Sequence, residues 1–136
     1  SDIKMIGWVN KEQAEDLYKR CDIFTAHNKI DSFTNQVEAF GVTIIEAMSY
    51  GLPVVTGRCG GVTDSIVHEE TGYLFDPGDI EAHAKIFLEL YRNKELRNQF
   101  SENAKNRIKN NFNLQKEKEG LQNIINQTIQ KSLTLD

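Results

Sequence analysis

The stretch EAFGVTIIEAMSYGLPVVT, residues 38–56, predicts a helix that is followed at once by a buried strand. Apolar residues recur at helical spacing over residues 42–50, which favours about two and a half turns of helix. Gly51 occupies the position where a helix end favours a left-handed residue, and residues 53–56 form a β-branched run that begins with proline. A helix joined directly to a buried strand is half of a βαβ unit, so this stretch predicts an α/β fold with a parallel sheet.

Two glutamates lie close to the beginning of this helix. Glu38 precedes it, and Glu46 is expected on it, opposite the apolar stripe of Ile44, Ile45 and Met48. The first amides of a helix have no partner within it and the helix dipole is positive there, so this end attracts an anion such as a phosphate. Each glutamate considered alone is more simply explained as a solvated surface residue, although Glu46 would also suit the wall of an open cleft.

Considered together, the two glutamates are separated by seven residues. This E-x7-E spacing resembles the signature of retaining GT-B-fold glycosyltransferases of the group 1 family, which use nucleotide-sugar donors. The resemblance continues in chain order over roughly residues 5–112. Its further motifs are Gly7-Trp8-Val9, Leu17-Tyr18, Cys21-Asp22-Ile23-Phe24, Gly51-Leu52-Pro53-Val54-Val55, Gly60-Gly61 and Thr71-Gly72-Tyr73-Leu74-Phe75.

The resemblance implies a fold and a set of site residues. Residues 1–136 would form part of the nucleotide-sugar-binding C-terminal domain, a Rossmann-like parallel sheet with helices on both faces. Glu38 would be the catalytic carboxylate beside the anomeric carbon, and Glu46 would accept hydrogen bonds from the ribose hydroxyls. The other donor-binding residues implied are Phe40, Gly41, Val42 and Thr43 through their amides, Gly60 and Gly61 in a second loop, and Gly7 and Val9 beside the base.

Two charged residues lie near the loop of Gly60 and Gly61 in the sequence. Asp64 stands where the family has a glutamate, which keeps the carboxylate but shortens its reach. Arg58 is the nearest cation to this loop and could face a phosphate, although a solvated arginine is the simpler explanation.

The other elements follow the same periodicity rules. Asn10 and Asp79 are the expected N-caps of two helices. The further predicted helices span residues 11–20, 62–67, 80–91 and 94–110, and the further predicted strands span residues 3–6, 22–26 and 72–75.

The resemblance also implies that the chain matches only part of the resembled protein. Six strands of the resembled domain have the spatial order 3-2-1-4-5-6, and the sequence matches from the third strand, residues 3–6, onward. The two unmatched strands would lie between residues 3–6 and 22–26, and the unmatched part would include basic diphosphate contacts and an acceptor-binding domain. Strand edges left open in this way favour self-association. Residues 113–132 are expected to form a terminal helix that packs toward the acceptor domain, and the loop over residues 27–37 is longer than in the family.

Composition limits the classes of partner. The 136 residues carry a net charge of −4 with a pI near 5.4, which argues against nucleic acid as the main partner. The sequence contains no apolar run of ~20 residues, so no transmembrane segment is expected.

The sequence also contains no Asp-x-Asp pair and no His, Cys or carboxylate cluster with the spacing of metal ligands, so we expect donor binding without a metal ion or other cofactor. Cys21 and Cys59 are expected to be reduced, as in a cytoplasmic protein, with peripheral membrane association left open.

The three histidines have no role in this interpretation. His27 follows a strand near the expected site and has a pKa suited to proton transfer, but a polar loop residue is the simpler explanation. His68 and His83 are expected on helix surfaces.

The sequence therefore predicts the donor-binding part of a retaining glycosyltransferase. Such an enzyme moves a sugar from a nucleoside-diphosphate sugar to a carbohydrate or lipid-linked acceptor, and we expect this chain alone not to transfer sugar. Two alternatives stay open: a non-catalytic nucleotide-binding module and a GT-B-fold sugar-nucleotide epimerase.

Overall fold

A computed structural model describes residues 3–27, 41–112 and 122–126 of the chain. The elements in chain order are α1 (Lys11–Arg20), β1 (Phe24–Ala26), α2 (Val42–Ser49), β2 (Val54–Gly57), α3 (Val62–Ser65), β3 (Gly72–Phe75), α4 (Ile80–Arg92) and α5 (Lys94–Asn111). The three strands form one parallel sheet in the order β1-β2-β3. The predicted α/β, Rossmann-like class is confirmed.

Helices cover both faces of the sheet because alternate residues of each strand point to opposite sides. Val54 and Leu74 pack on one face, in a core with buried residues of α2, α3 and α5. Val55, Tyr73 and Phe75 pack on the other face against Leu90 of α4 and Phe100 of α5. All residues of β2 and β3 are buried, as the continuous apolar runs of a covered parallel sheet require.

The beginning and end of the helices follow local signals in the sequence. Asn10 caps α1 in a capping box: its side chain accepts from the Gln13 amide at 2.9 Å and the Gln13 side chain accepts from its amide at 3.0 Å. The Asp79 side chain accepts from the Ala82 amide at the start of α4. Gly51 has φ +78° just after α2, so its predicted position and left-handed conformation are confirmed. A β-carbon at this position would lie 2.3 Å from Lys105 Cε.

One predicted strand is wrong. Residues 3–6 do not join the sheet, and the Ile3 and Met5 side chains are 81% and 92% exposed. In the part of the chain that the structure describes, no strand lies beside the outer edge of β1. A strand is stable only beside a partner, so an apolar run alone does not produce one.

The predicted end of α3 is also wrong. The helix ends at Ser65 rather than at residue 67, because the Val67 amide donates to Thr71 Oγ1 at 3.0 Å. His68 consequently lies in a bridge to Gly72 and its Nδ1 accepts from the Leu74 amide, so it is not on a helix surface.

The predicted terminal helix over residues 113–132 lies mostly outside the described residues. Residues 122–126 are helical and exposed. Among the helices that the structure describes, none has the length and apolar character needed to cross a membrane.

Candidate functional site

The beginning of α2 lies at the edge of the sheet where the parallel strands end. The chain leaves β1 at this edge after Ala26 and returns to it to start α2. In open α/β sheets, ligands bind in the crevice outside the carboxyl ends of the strands. Gly41 and the residues that follow it therefore occupy the expected position of a ligand site.

In the part of the chain that the structure describes, no side chain caps the first turn of α2. Gly41 is buried with φ +72° and ψ +53°, and it makes no side-chain cap bond. A β-carbon at this position would lie 3.0 Å from Ile44 Cδ1, so glycine satisfies both the left-handed backbone and the packing. The amides of Val42 and Thr43 precede any acceptor within the helix, and both residues are exposed. This turn therefore has the geometry that receives an anion from solvent.

Glu46 lies on the exposed side of α2, one turn beyond Thr43. The predicted orientation of Glu46 away from the core is confirmed, because Ile44, Ala47 and Met48 are the buried residues of this helix. Tyr18 of α1 donates its hydroxyl hydrogen to Glu46 Oε2 at 3.3 Å. Partial burial raises the pKa of Tyr18, and the negative charge and hydrogen bond of Glu46 raise it further.

An open cleft of about 370 Å³ lies between α1 and α2. It brings together Val9 and Glu46, two residues predicted to contact different parts of a nucleotide. The other residues that line it are Asn10, Lys11, Ala14, Glu15, Tyr18, Ser49 and Tyr50. The cleft therefore combines aromatic walls with charged groups of both signs beside the exposed stripe of α2.

None of the four predicted glycines lines this cleft, and neither do Val42 and Thr43 at the beginning of α2. Gly7 is exposed with φ +76°, and a β-carbon there would have no atom within 4 Å. Gly60 and Gly61 form the turn before α3, with Gly61 as its N-cap and the Thr63 hydroxyl donating to the Gly60 carbonyl at 3.3 Å. Their proposed contacts with a donor stay predictions.

Arg107 of α5 holds the short helix that follows this turn. Its Nε donates to the Ser65 carbonyl and its Nη2 donates to the Asp64 carbonyl, both at 2.6 Å. Because these are charge-assisted bonds to the last carbonyls of α3, they anchor the loop that contains Gly60 and Gly61.

Glu38 and Phe40 lie outside the described residues, so their roles stay predictions. The same holds for the loop over residues 27–37 beyond His27.

His27 and His83 contact each other at the carboxyl end of β1, which the sequence did not predict. The His83 ring stacks on Phe75 with the ring centres 4.4 Å apart, and it is half-buried rather than on an open helix surface. Burial lowers the pKa of His83, and the neighbouring His27 lowers it further.

Within the described ranges, no group of three or more His, Cys, Asp or Glu side chains has the arrangement of a metal site. Cys21 is exposed and Cys59 is buried. Binding without a metal stays a prediction.

A family model supports the resemblance that the motifs indicated. The model described as glycosyl transferases group 1 matches residues 1–107. The chain belongs to this family. Within the family, its fold corresponds to the C-terminal domain.

Individual relatives share moderate sequence identity with the chain. It is 45% identical over 74 residues to sucrose-phosphate synthase 4 of Arabidopsis thaliana, covering 54% of this chain and 7% of that protein. It is 32% identical over 100 residues to the capsular polysaccharide biosynthesis glycosyltransferase CapM of Staphylococcus aureus, covering 74% of this chain and 26% of that protein. The chain therefore spans about a quarter or less of these relatives' lengths.

A solved structure extends the similarity to almost the whole chain. HepE of Anabaena, in complex with UDP and glucose, superimposes with a TM-score of 0.71 and 26% sequence identity. The alignment covers 98% of this chain and 32% of HepE. The chain therefore shares the fold of about a third of HepE.

Proposed function

We propose that the chain binds a nucleoside-diphosphate sugar along the exposed side of α2, as the donor-binding domain of a retaining glycosyltransferase. The observation that carries this proposal is the shared cleft of Val9 and Glu46, which lies beside a helix that begins at the left-handed, buried Gly41 with Val42 and Thr43 exposed. A UDP-sugar is the first candidate donor, because the Anabaena relative was solved with UDP.

The spacing along α2 matches the order of groups in a nucleotide. Thr43 and Glu46 are three residues apart on the same exposed side, a rise of about 4.5 Å along the helix axis. A diphosphate accepting hydrogen bonds from the amides of Phe40, Gly41, Val42 and Thr43 would therefore place the adjacent ribose beside Glu46. The Glu46 carboxylate can accept from both ribose hydroxyls, and Val9 would flank the base.

The same helix end supports the chemical step. Negative charge develops on the leaving nucleoside diphosphate as the glycosidic bond breaks, and the amides and dipole of α2 stabilise it. Glu38 would lie beside the anomeric carbon, where a carboxylate stabilises an oxocarbenium-like transition state. Gly60 and Gly61 would contact the donor sugar. The reaction would need no metal ion and no cofactor beyond the donor.

The acceptor would be a carbohydrate or a lipid-linked sugar bound by another domain. The name of the CapM relative, a capsular polysaccharide biosynthesis enzyme, supports a carbohydrate acceptor. We place the protein in the cytoplasm, with peripheral contact to a membrane where the acceptor is lipid-linked. The outer edge of β1 would favour self-association wherever no other strand covers it.

Nucleotide protection against heat tests the proposal. We expect UDP or GDP to raise the melting temperature of the full chain, and Glu46→Ala to remove most of that increase. Glu102→Ala is the matched control, because Glu102 is an exposed glutamate on α5 that pairs only weakly with Lys105. Undiminished protection in Glu46→Ala would remove Glu46 from the site.

If Glu38→Gln in the full-length enzyme keeps nucleotide protection and loses transfer, Glu38 acts in the chemical step. Retention is checked by the anomeric configuration of the product.

A further inference from the structure

Tyr18 meets Glu46 across the cleft, although the two residues are far apart in the sequence. We propose that Tyr18 is a positioning residue, whose hydroxyl group orients the Glu46 carboxylate for the ribose hydroxyls of the donor. This inference rests on the proposed function of Glu46.

The hydrogen bond leaves Glu46 able to bind a ribose. Tyr18 donates to Oε2 at 3.3 Å, so Oε1 and the remaining lone pairs can still accept from two hydroxyls. Among the described residues, the Tyr18 hydroxyl is the hydrogen-bond donor to this carboxylate. The distance exceeds the ~2.7–2.8 Å typical of O–H···O bonds, and hydrogen bonds in active sites commonly shorten when the ligand binds.

The side chain of Tyr18 is held by packing contacts, whereas the side chain of Glu46 is exposed. Its ring stacks on Tyr50 with centres 5.5 Å apart and planes inclined by 24°, and it packs at 6.3 Å from Phe24. It also packs against the core cluster that contains Ile44. Glu46 is an exposed side chain with several rotatable bonds. A hydroxyl group on a packed ring that donates to a carboxylate with several rotatable bonds restricts that carboxylate, which reduces the conformational entropy that ligand binding must otherwise remove.

The Tyr18 hydroxyl keeps its hydrogen throughout the neutral pH range. Burial and the Glu46 charge raise the pKa of Tyr18 above its ordinary value of 10.0, so the group is a donor to the carboxylate at every physiological pH.

The matched pair Tyr73 and Glu89 provides the control. Tyr73 donates to Glu89 Oε1 at 3.0 Å, on the opposite face of the sheet and away from the cleft. Tyr18→Phe and Tyr73→Phe therefore delete the same chemical group from the same kind of pair. Only the first deletion changes a side chain of the proposed site.

Affinities for UDP and for 2′,3′-dideoxyuridine diphosphate, measured by calorimetry on the full chain, test the inference. We expect Tyr18→Phe to weaken UDP binding roughly threefold to tenfold, as the loss of one modest hydrogen bond would, and to leave the dideoxy compound unaffected. Tyr73→Phe should change neither affinity. Because the readout is a ratio of two affinities on one sample, a partly unfolded variant leaves the ratio interpretable.

Glu46→Ala separates this inference from the function on which it rests. If Glu46→Ala reduces the preference for UDP over the dideoxy compound and Tyr18→Phe does not, Tyr18 has no positioning role although the proposed site stands. If Glu46→Ala keeps the full preference, Glu46 does not bind the ribose and the proposed function itself fails. Equal weakening of both nucleotides by Tyr18→Phe would also overturn the positioning role, because it would indicate general damage to the cleft.

Discussion

The Nδ1 atoms of His27 and His83 lie 3.1 Å apart, and the surrounding hydrogen bonds determine which of them carries the hydrogen. Thr25 donates its hydroxyl hydrogen to the Val55 carbonyl at 3.0 Å, so His83 Nε2, 2.6 Å away, must donate to Thr25. The Gly78 amide donates to His27 Nε2 at 3.2 Å, so His27 carries its hydrogen on Nδ1 and donates to His83. The chain of bonds is therefore complete only while both imidazoles are neutral.

This arrangement predicts a loss of stability in acid. Burial and the neighbouring His27 lower the pKa of folded His83, whereas an unfolded histidine titrates near 6.5. Below about pH 6.5 the unfolded chain binds more protons than the folded chain, until the lowered pKa is also passed. The free energy of unfolding should therefore fall as the pH decreases through this window.

His83→Gln should flatten that pH dependence while lowering stability near pH 8 by about 1 kcal/mol, the value of one hydrogen bond. The measurement is urea unfolding between pH 5 and pH 8. His68→Gln is the control, because glutamine can still accept from the Leu74 amide and residue 68 lies outside the pair. A dependence that is as steep in His83→Gln as in the wild type would contradict the assignment.

Gly41→Ala should destabilise the chain and weaken nucleotide binding together. The left-handed backbone costs about 1–2 kcal/mol for a residue with a β-carbon, and that carbon would also crowd Ile44 Cδ1 at 3.0 Å. Unfolding in urea and the thermal shift with UDP measure the two effects.

Gly78→Ala is the matched control for this prediction. Gly78 also has a positive φ, +94°, but a β-carbon there would have no atom within 4 Å. Its backbone strain should lower stability without altering UDP binding. Equal effects of the two variants on binding would argue against a ligand at the beginning of α2.

Arg107→Met should lower the free energy of unfolding by about 1–3 kcal/mol, because it leaves the carbonyls of Asp64 and Ser65 without their charged donor. Lys105→Met on the same helix removes an exposed ion pair with Glu102 and should cost less than about 1 kcal/mol. Denaturant midpoints of the two variants provide the comparison. Similar losses would show that Arg107 contributes only as a surface charge.

The features predicted correctly from the sequence are those that neighbouring residues determine. Gly51 ends α2 because its backbone geometry is a property of a single residue and the turn around it. Glu46 is exposed because helical periodicity places it opposite Ile44 and Met48. The strand over residues 72–75 agrees with its prediction for the same reason, since its apolar run is bounded by turns.

The features that the sequence missed depend on residues far apart in the chain. Residues 3–6 have the composition of a strand, but strand formation depends on a partner that the composition does not reveal. Tyr18 and Glu46 are separated by 28 residues, and His27 and His83 by 56, so no local pattern relates them. The tyrosine of the Leu17-Tyr18 motif was the available signal for the first pair, but the motif does not indicate its partner.

The two helices that line the cleft, α1 and α2, differ in how deeply they are buried. No residue of α1 is buried, whereas α2 has three buried residues at the centre of the core. Backbone amides of α1 should therefore exchange with solvent through smaller openings than those of α2. A nucleotide that contacts both Val9, which lies just before α1, and Glu46 on α2 would hold α1 against the more deeply buried α2. Amide exchange should therefore slow most in α1 when the nucleotide binds.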